Sequence, residues 1–275
     1  EASIDFRVTR EEARRIAEGE LAERGFDVEG RRALGVFDHD DVAKVFLERE
    51  LGLERAAPLL GREAPVWRWS FRFVRPLEKG ELRAFVAPSG ELLAFRRILP
   101  EKAAAPDPGA ARARAMAEET LRTHRGLDLS ALRLVEESEE RRPARVDRTY
   151  VWESRTLSWK GASVRWLVEV QGDRVGRSST WLEVPEAWRQ EYATLRSKNH
   201  AAGAVATFGL VLTAIALVVA FFDRLRRRDV RWRWALAFGL VGAALQAAAA
   251  LNELPVTLFS YDTTESWASF LGQSL

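Results

Sequence analysis

The run Trp67-Arg68-Trp69-Ser70-Phe71-Arg72-Phe73 alternates aromatic and polar side chains without a break. Successive side chains of a strand point to opposite faces. A period of two therefore predicts a half-exposed strand, aromatic side inward and arginines outward. Downstream, a Lys79-Gly80 turn leads to the strand Leu82–Val86, and Pro88-Ser89-Gly90 turns into Leu92–Ile98, which closes at Leu99-Pro100-Glu101. Upstream, Thr9 and Glu12 have capping-box spacing, with Ala13, Ile16, Ala17 and Leu21 at helical intervals and Gly25 as the stop. A second short helix is expected from Asp40, with Val42, Val45 and Phe46 on one face.

The same order recurs after the Ala/Pro/Gly-rich stretch 103–109. A helix is predicted from Ala110 to Thr123 with Ala113, Ala117 and Leu121 on its apolar side, then strands around Leu132–Glu136, Tyr150–Arg155, Val164–Val170 and Val175–Val184. Lys160-Gly161 repeats Lys79-Gly80, Gly172-Asp173 repeats Gly90-Glu91, and Val184-Pro185-Glu186 repeats Leu99-Pro100-Glu101. The expected fold class is α+β: two tandem helix-on-antiparallel-sheet units followed by two transmembrane α-helices.

The second half of that expectation comes from charge. The chain has 275 residues, 30% of them charged, with 42 Lys+Arg against 40 Asp+Glu. Yet Ala201–Phe222 and Trp234–Asn252, 22 and 19 residues, carry no charge at all. At about 1.5 Å per residue each spans roughly the 30 Å hydrocarbon core of a bilayer. Between them Asp223–Arg233 holds six arginines and two aspartates, which places this loop in the cytoplasm and residues 1–200 and 253–275 outside. The domain plan is repeat 1 over 1–102, a linker at 103–109, repeat 2 over 110–190, and a juxtamembrane segment at 191–200. Spans at 201–222 and 234–252 then flank the loop 223–233, and 253–275 forms an outer loop with the start of a further apolar segment. Met116 is the only methionine, so the chain reads as part of a longer membrane protein with an exporting segment upstream. Gly239, Ala243 and Ala247 have the spacing a close helix partner requires, and equally the spacing that an alanine-rich composition produces. Membrane lipid and further helices are the expected partners.

Self-contained chemistry is not legible. His39, His124 and His200 lack metal-ligand spacing, no Cys is present, and no HExxH, G-x-S-x-G or phosphate-cradling glycine loop occurs. His39-Asp40-Asp41 reads as a polar helix start. Glu136-Glu137-Ser138-Glu139-Glu140-Arg141 matches Glu-Glu-x-x-x-Arg but reads as a solvated charge run in a polar turn. The near-neutral balance excludes a strongly basic nucleic-acid binder, and the Trp/Arg alternation reads as a buried aromatic face rather than a base-stacking platform. No catalytic, cofactor-binding or metal residue is assigned.

The hairpin Phe85-Val86-Ala87-Pro88-Ser89-Gly90-Glu91-Leu92-Leu93, preceded by a helix, resembles PepSY-type domains. Further residues add to this: Arg145-Val146-Asp147-Arg148-Thr149-Tyr150-Val151-Trp152, Val184-Pro185-Glu186-Ala187-Trp188, Leu245-Gln246, Leu251-Asn252, Pro255 and Tyr261-Asp262-Thr263-Thr264. With them the chain resembles the N-terminal part of large bacterial CPBP (CAAX protease and bacteriocin-processing) intramembrane proteases. The resemblance covers that family's variable extension. It implies an extracytoplasmic substrate-presenting or regulatory region plus the first membrane hairpin of an endopeptidase, with the catalytic core beyond residue 275. The alternative is a non-enzymatic, membrane-anchored sensor that binds a peptide or envelope partner.

Overall fold

The computed structural model describes residues 4–61, 63–228 and 230–274, and the side chains of 198–202, His200 among them, lie outside the description. The chain divides into two compact units, Glu1–Val184 with Pro255–Leu275, and Pro185–Leu254.

The first unit is built on one antiparallel sheet. Its first half runs α1 (Arg10–Glu23), β1 (Arg32–His39), α2 (Asp41–Leu51), α3 (Leu53–Ala56), β2 (Trp67–Val74), β3 (Glu81–Val86) and β4 (Leu92–Ile98). Its second half runs α4 (Ala110–Arg125), a short 3-10 turn, β5 (Leu132–Arg142), β6 (Arg145–Trp159), β7 (Ala162–Gln171) and β8 (Arg174–Glu183). Each half has a leading helix and four strands, but in the first half α2 and α3 intervene between β1 and β2, whereas β5–β8 follow one another directly. The strand order is β1-β2-β3-β4-β8-β7-β6-β5, so the last strand of each half pairs with the other in the middle of an eight-stranded sheet. The pairing is Ala94 with Ser179, Phe95 with Ser178 and Arg96 with Arg177. Two separate four-stranded sheets would each expose another unpaired edge, and joining them removes two edges at once.

Local rules set the first helix. Thr9 accepts from the Glu12 amide while the Glu12 carboxylate accepts from the Thr9 amide, the reciprocal cap expected from their spacing. Ala13, Ala17 and Leu21 of α1 are buried, and Ala113, Ala117 and Leu121 of α4 repeat that spacing and burial. Alanine at successive turns lets each helix lie close on the sheet. Beneath α1 sit Phe71, Phe73, Leu82, Ala84, Val86 and Phe95. Phe73 is fully buried, which is worth about 2–3 kcal/mol. Phe71, Ala84, Phe95, Ser178, Val168 and Tyr150 stand opposite one another across successive strands and therefore share a face. The Tyr150 hydroxyl donates to the Ala110 carbonyl at 3.2 Å, so α4 occupies the same face as α1.

Side chains also weld the halves. Arg125 of α4 donates to the carbonyls of Leu92 and Leu93 on β4. Arg97 and Gln171 bond each other's side chains and backbone at 3.1–3.4 Å. Arg145 forms a buried ion pair with Asp147 at 3.0 Å and donates to the carbonyls of Pro100 and Ala103, which fixes the linker.

The structure departs from the sequence reading at several points. Strand β1 was not expected, because Gly35 interrupts its pattern. A Cβ at Gly35 would stand 2.5 Å from the Phe71 ring, so the missing side chain is what lets β2's aromatic row seat. The run Glu136–Arg141 lies on strand β5, not in a turn, although it is solvent-exposed as expected. Charged side chains suit a sheet edge, because they oppose pairing with another chain. Helix α5 (Glu186–Arg226) runs through 191–200, a segment for which the sequence reading sets no secondary structure.

The second unit holds α5 and helix α6 (Trp232–Phe259) as far as Leu254; these helices contain Gly203–Arg226 and Trp232–Phe259, each long and apolar enough to cross a membrane. Their large apolar side chains, among them Phe208, Leu210, Leu217, Phe238 and Leu240, are exposed within the chain. Helix α6 runs through Pro255 and ends at Phe259. From Pro255 onward the chain, including the end of α6 and α7 (Trp267–Ser274), belongs to the first unit.

Candidate functional site

Of the three histidines, His39 and His124 are described and neither belongs to a group that could hold a metal ion, while His200 lies outside the described residues. The His39 Nε2 lies 3.8 Å from a carboxylate oxygen of Asp41, and its ring packs 5.2 Å from Trp67. Asp40 caps α2 by accepting from the Ala43 amide at 2.9 Å. His124, at the end of α4, is held below the ordinary imidazole value by burial and then by Arg24. Among the described residues no three His, Asp or Glu side chains are grouped to hold a metal ion. The aromatic side of β2 lies beneath α1, so Phe71 and Phe73 are closed to a stacking base.

The opposite face of the sheet carries the candidate site. Arg72, Arg83, Arg96 and Arg177 stand directly opposite one another on β2, β3, β4 and β8. Like charges in directly opposed positions destabilise a sheet. Glu81, only 5% exposed, offsets part of this row by pairing with both Arg72 and Arg83. Glu169 faces Arg177 across β7 and β8. Among the described residues Arg96 and Arg177 form no ion pair. Arg177 is held below the ordinary guanidinium value, first by burial and then by Arg96.

Next to this row runs a second one, Ser70, Phe85, Ala94 and Ser179. Arg83, Arg96 and Arg177 of the first row, Phe85, Ala94 and Ser179 of the second, and Arg68 and Trp181 are among the residues lining a cavity of about 240 Å³ over the β3–β4–β8 junction. Arg68 lies over the Phe85 ring at 5.3 Å and pairs with Asp38 at 3.0 Å. The Trp181 indole N–H donates to Glu183 at 2.8 Å. The Ser179 hydroxyl is buried and has no hydrogen-bond partner among the described residues. The arrangement supplies two uncompensated guanidinium groups, a free hydroxyl and two aromatic surfaces within one hollow.

Arg72 also reaches the chain beyond α6. Its Nη1 donates to the carbonyls of Phe259 at 2.6 Å and Tyr261 at 3.0 Å. Tyr261 is 1% exposed and packs on Leu34 and Val74, with Trp267 and Phe270 against its ring. Asp262 Oδ1 accepts from the amide and hydroxyl of Thr264 at 2.9 and 2.8 Å, which folds Tyr261–Thr264 into a tight turn.

From the sequence alone Arg68 and Arg72 are legible only as the outward side of a strand. That alternation was the one available signal of the arginine row, because the row itself exists only once four strands are in register. Compared with family models, with curated proteins and with solved structures, the chain matches none.

Proposed function

We propose that the chain is the membrane-anchored, extracytoplasmic substrate-presenting or regulatory region of a bacterial intramembrane endopeptidase of the CPBP kind. In this reading α5 and α6 form a hairpin across the cytoplasmic membrane, and the sheet holds polypeptide outside it. In this reading its two halves are duplicated PepSY-like units, a view supported by the leading helix and the four consecutively paired strands in each half and by the matching Ala-Ala-Leu faces of α1 and α4. No residue of this chain is assigned to the hydrolytic step. The observation that carries the proposal is Arg72, which joins the arginine row of the open sheet face to the residues at the end of an apolar helix.

The hairpin also accounts for the exposed apolar side chains of both helices, which need lipid or another helix as cover. With two crossings, the sheet and residues 255–274 share one side of the bilayer, in accord with Tyr261 being buried on that sheet.

The absence of cysteine allows a direct test of the topology. Ser89→Cys, in an exposed turn, should react with a membrane-impermeant maleimide on intact cells, and Arg231→Cys only after permeabilisation. The reverse pattern would refute the arrangement. For the functional part, a photo-crosslinker replacing Trp181 should capture polypeptide in the envelope, and capture of none counts against substrate presentation. The shared role of Arg72 also supports a second reading, a membrane-anchored sensor in which occupancy of the sheet is felt at α6. A chain that captures polypeptide but changes no proteolysis in the membrane favours the sensor.

A further inference from the structure

The row Arg72-Arg83-Arg96-Arg177 is a cost to the sheet, since three successive cross-strand pairs along it join like charges. Glu81 answers for Arg72 and Arg83, and Asp38 for Arg68. Glu169 opposes Arg177 without an ion-pair contact, and Arg96 has no carboxylate at contact distance among the described residues. The uncompensated charge is therefore concentrated on Arg96 and Arg177, at the seam between the two halves. The Ser179 hydroxyl, which lines the same cavity, is a further hydrogen-bonding group without a partner among the described residues.

We infer that this cavity binds an acidic segment of a polypeptide: a side-chain carboxylate is held between Arg96 and Arg177, and a neighbouring apolar side chain rests against Phe85 and Trp181. The inference rests on the substrate-presenting reading and names the class of substrate. Two guanidinium groups suit a carboxylate because each presents a planar fork of donors to its two oxygens. The aromatic sides argue for polypeptide over a lipid headgroup. A headgroup brings the anion alone, whereas a peptide brings an anion and an apolar side chain within one or two residues of each other. A volume of about 240 Å³ is on the scale of a few side chains. Desolvation of Arg177 by its surroundings strengthens its attraction for an entering anion.

The test uses the full chain in phosphatidylcholine nanodiscs and a fluorescein-labelled heptapeptide in which glutamate alternates with leucine. A second peptide carries glutamine in place of glutamate. The wild-type chain should bind the glutamate peptide at least tenfold more tightly than the glutamine peptide at low salt. The double variant Arg96→Gln/Arg177→Gln should lose that preference while melting no lower than wild type, because it removes a repulsion. Arg96→Lys/Arg177→Lys keeps the charge without the forked donors and should retain only part of the preference, so the proposal stays testable if the glutamine variant does not fold. Equal affinity for the two peptides, or a preference that survives in the glutamine variant, overturns the inference. Displacement of the peptide by equimolar inorganic phosphate identifies a simple anion site and overturns it too. Loss of binding in phosphatidylglycerol nanodiscs through Arg96 and Arg177 identifies a lipid site, with the same consequence. The maleimide pattern tests the membrane reading separately, so failure of one is distinguishable from failure of the other.

Discussion

The guanidinium of Arg72 on β2 donates to the carbonyl of Tyr261 at 3.0 Å, although the two residues are 189 positions apart. The contact closes the first unit: a strand from the first half of the sheet holds the backbone that emerges from α6. Because Arg72 also pairs with the buried Glu81, its position is fixed from two sides. Few single side chains here connect as many parts of the fold.

Replacing Arg72 with Met should therefore cost about 2–3 kcal/mol. It strands a nearly buried carboxylate with one partner instead of two and leaves two carbonyls unbonded. Denaturant unfolding followed by tryptophan fluorescence measures the loss. Hydrogen exchange at Tyr261–Phe270 should quicken more than exchange in β6, and equal protection in variant and wild type would contradict the clamp.

Tyr261→Ala should cost about 3–5 kcal/mol in docking of the segment after α6, because its ring is the buried center of a small cluster with Trp267 and Phe270. Tyr261→Phe keeps the ring and loses only the bond from its hydroxyl to the Glu265 carbonyl, about 1 kcal/mol. Limited proteolysis at 261–266 should rank the variants wild type, Phe, Ala in increasing rate.

Acid should weaken the sheet through Glu153. Its carboxylate accepts from Arg133 at 2.6 Å and from Ser163 and Arg165 at 2.9 Å, and these donors hold it down to about 2, with Arg133 contributing most. A depressed folded value means that the stability is present above the ordinary glutamate range and is lost as pH falls from about 4.5 toward 2. Glu153→Gln should melt lower than wild type at pH 7 and converge with it near pH 2.5. Parallel melting curves across that window would exclude this role.

At Gly35 even one methyl group is too much. Gly35→Ala places its Cβ within 2.5 Å of the Phe71 ring and should cost about 1–3 kcal/mol by overpacking. Adding Phe71→Leu removes the clash, so the double variant should lose less than the sum of the two single changes, as read from thermal unfolding.

Much of this architecture is legible in short stretches. The capping pair Thr9 and Glu12, the buried Ala-Ala-Leu faces of α1 and α4, and the alternation at Trp67–Phe73 are local patterns, and each yields the expected element. Strand β1 was hidden because its key residue is a glycine whose reason lies on another strand. The charges of Glu137–Arg142 likewise masked the continuation of β5 beyond the expected strand Leu132–Glu136, although its edge position makes them suitable. Neither β1 nor that continuation carries the local signature of what it becomes.

By itself, then, the sequence determined the identity of most elements and the two uncharged helices, because periodicity and charge act over a few residues. Only the tertiary structure decided that β4 and β8 pair, that Arg72 meets Tyr261, and that four arginines form one row. These are consequences of strand register, which brings together residues between 11 and 189 positions apart. The candidate site lies at that seam, where neither half of the chain alone carries it.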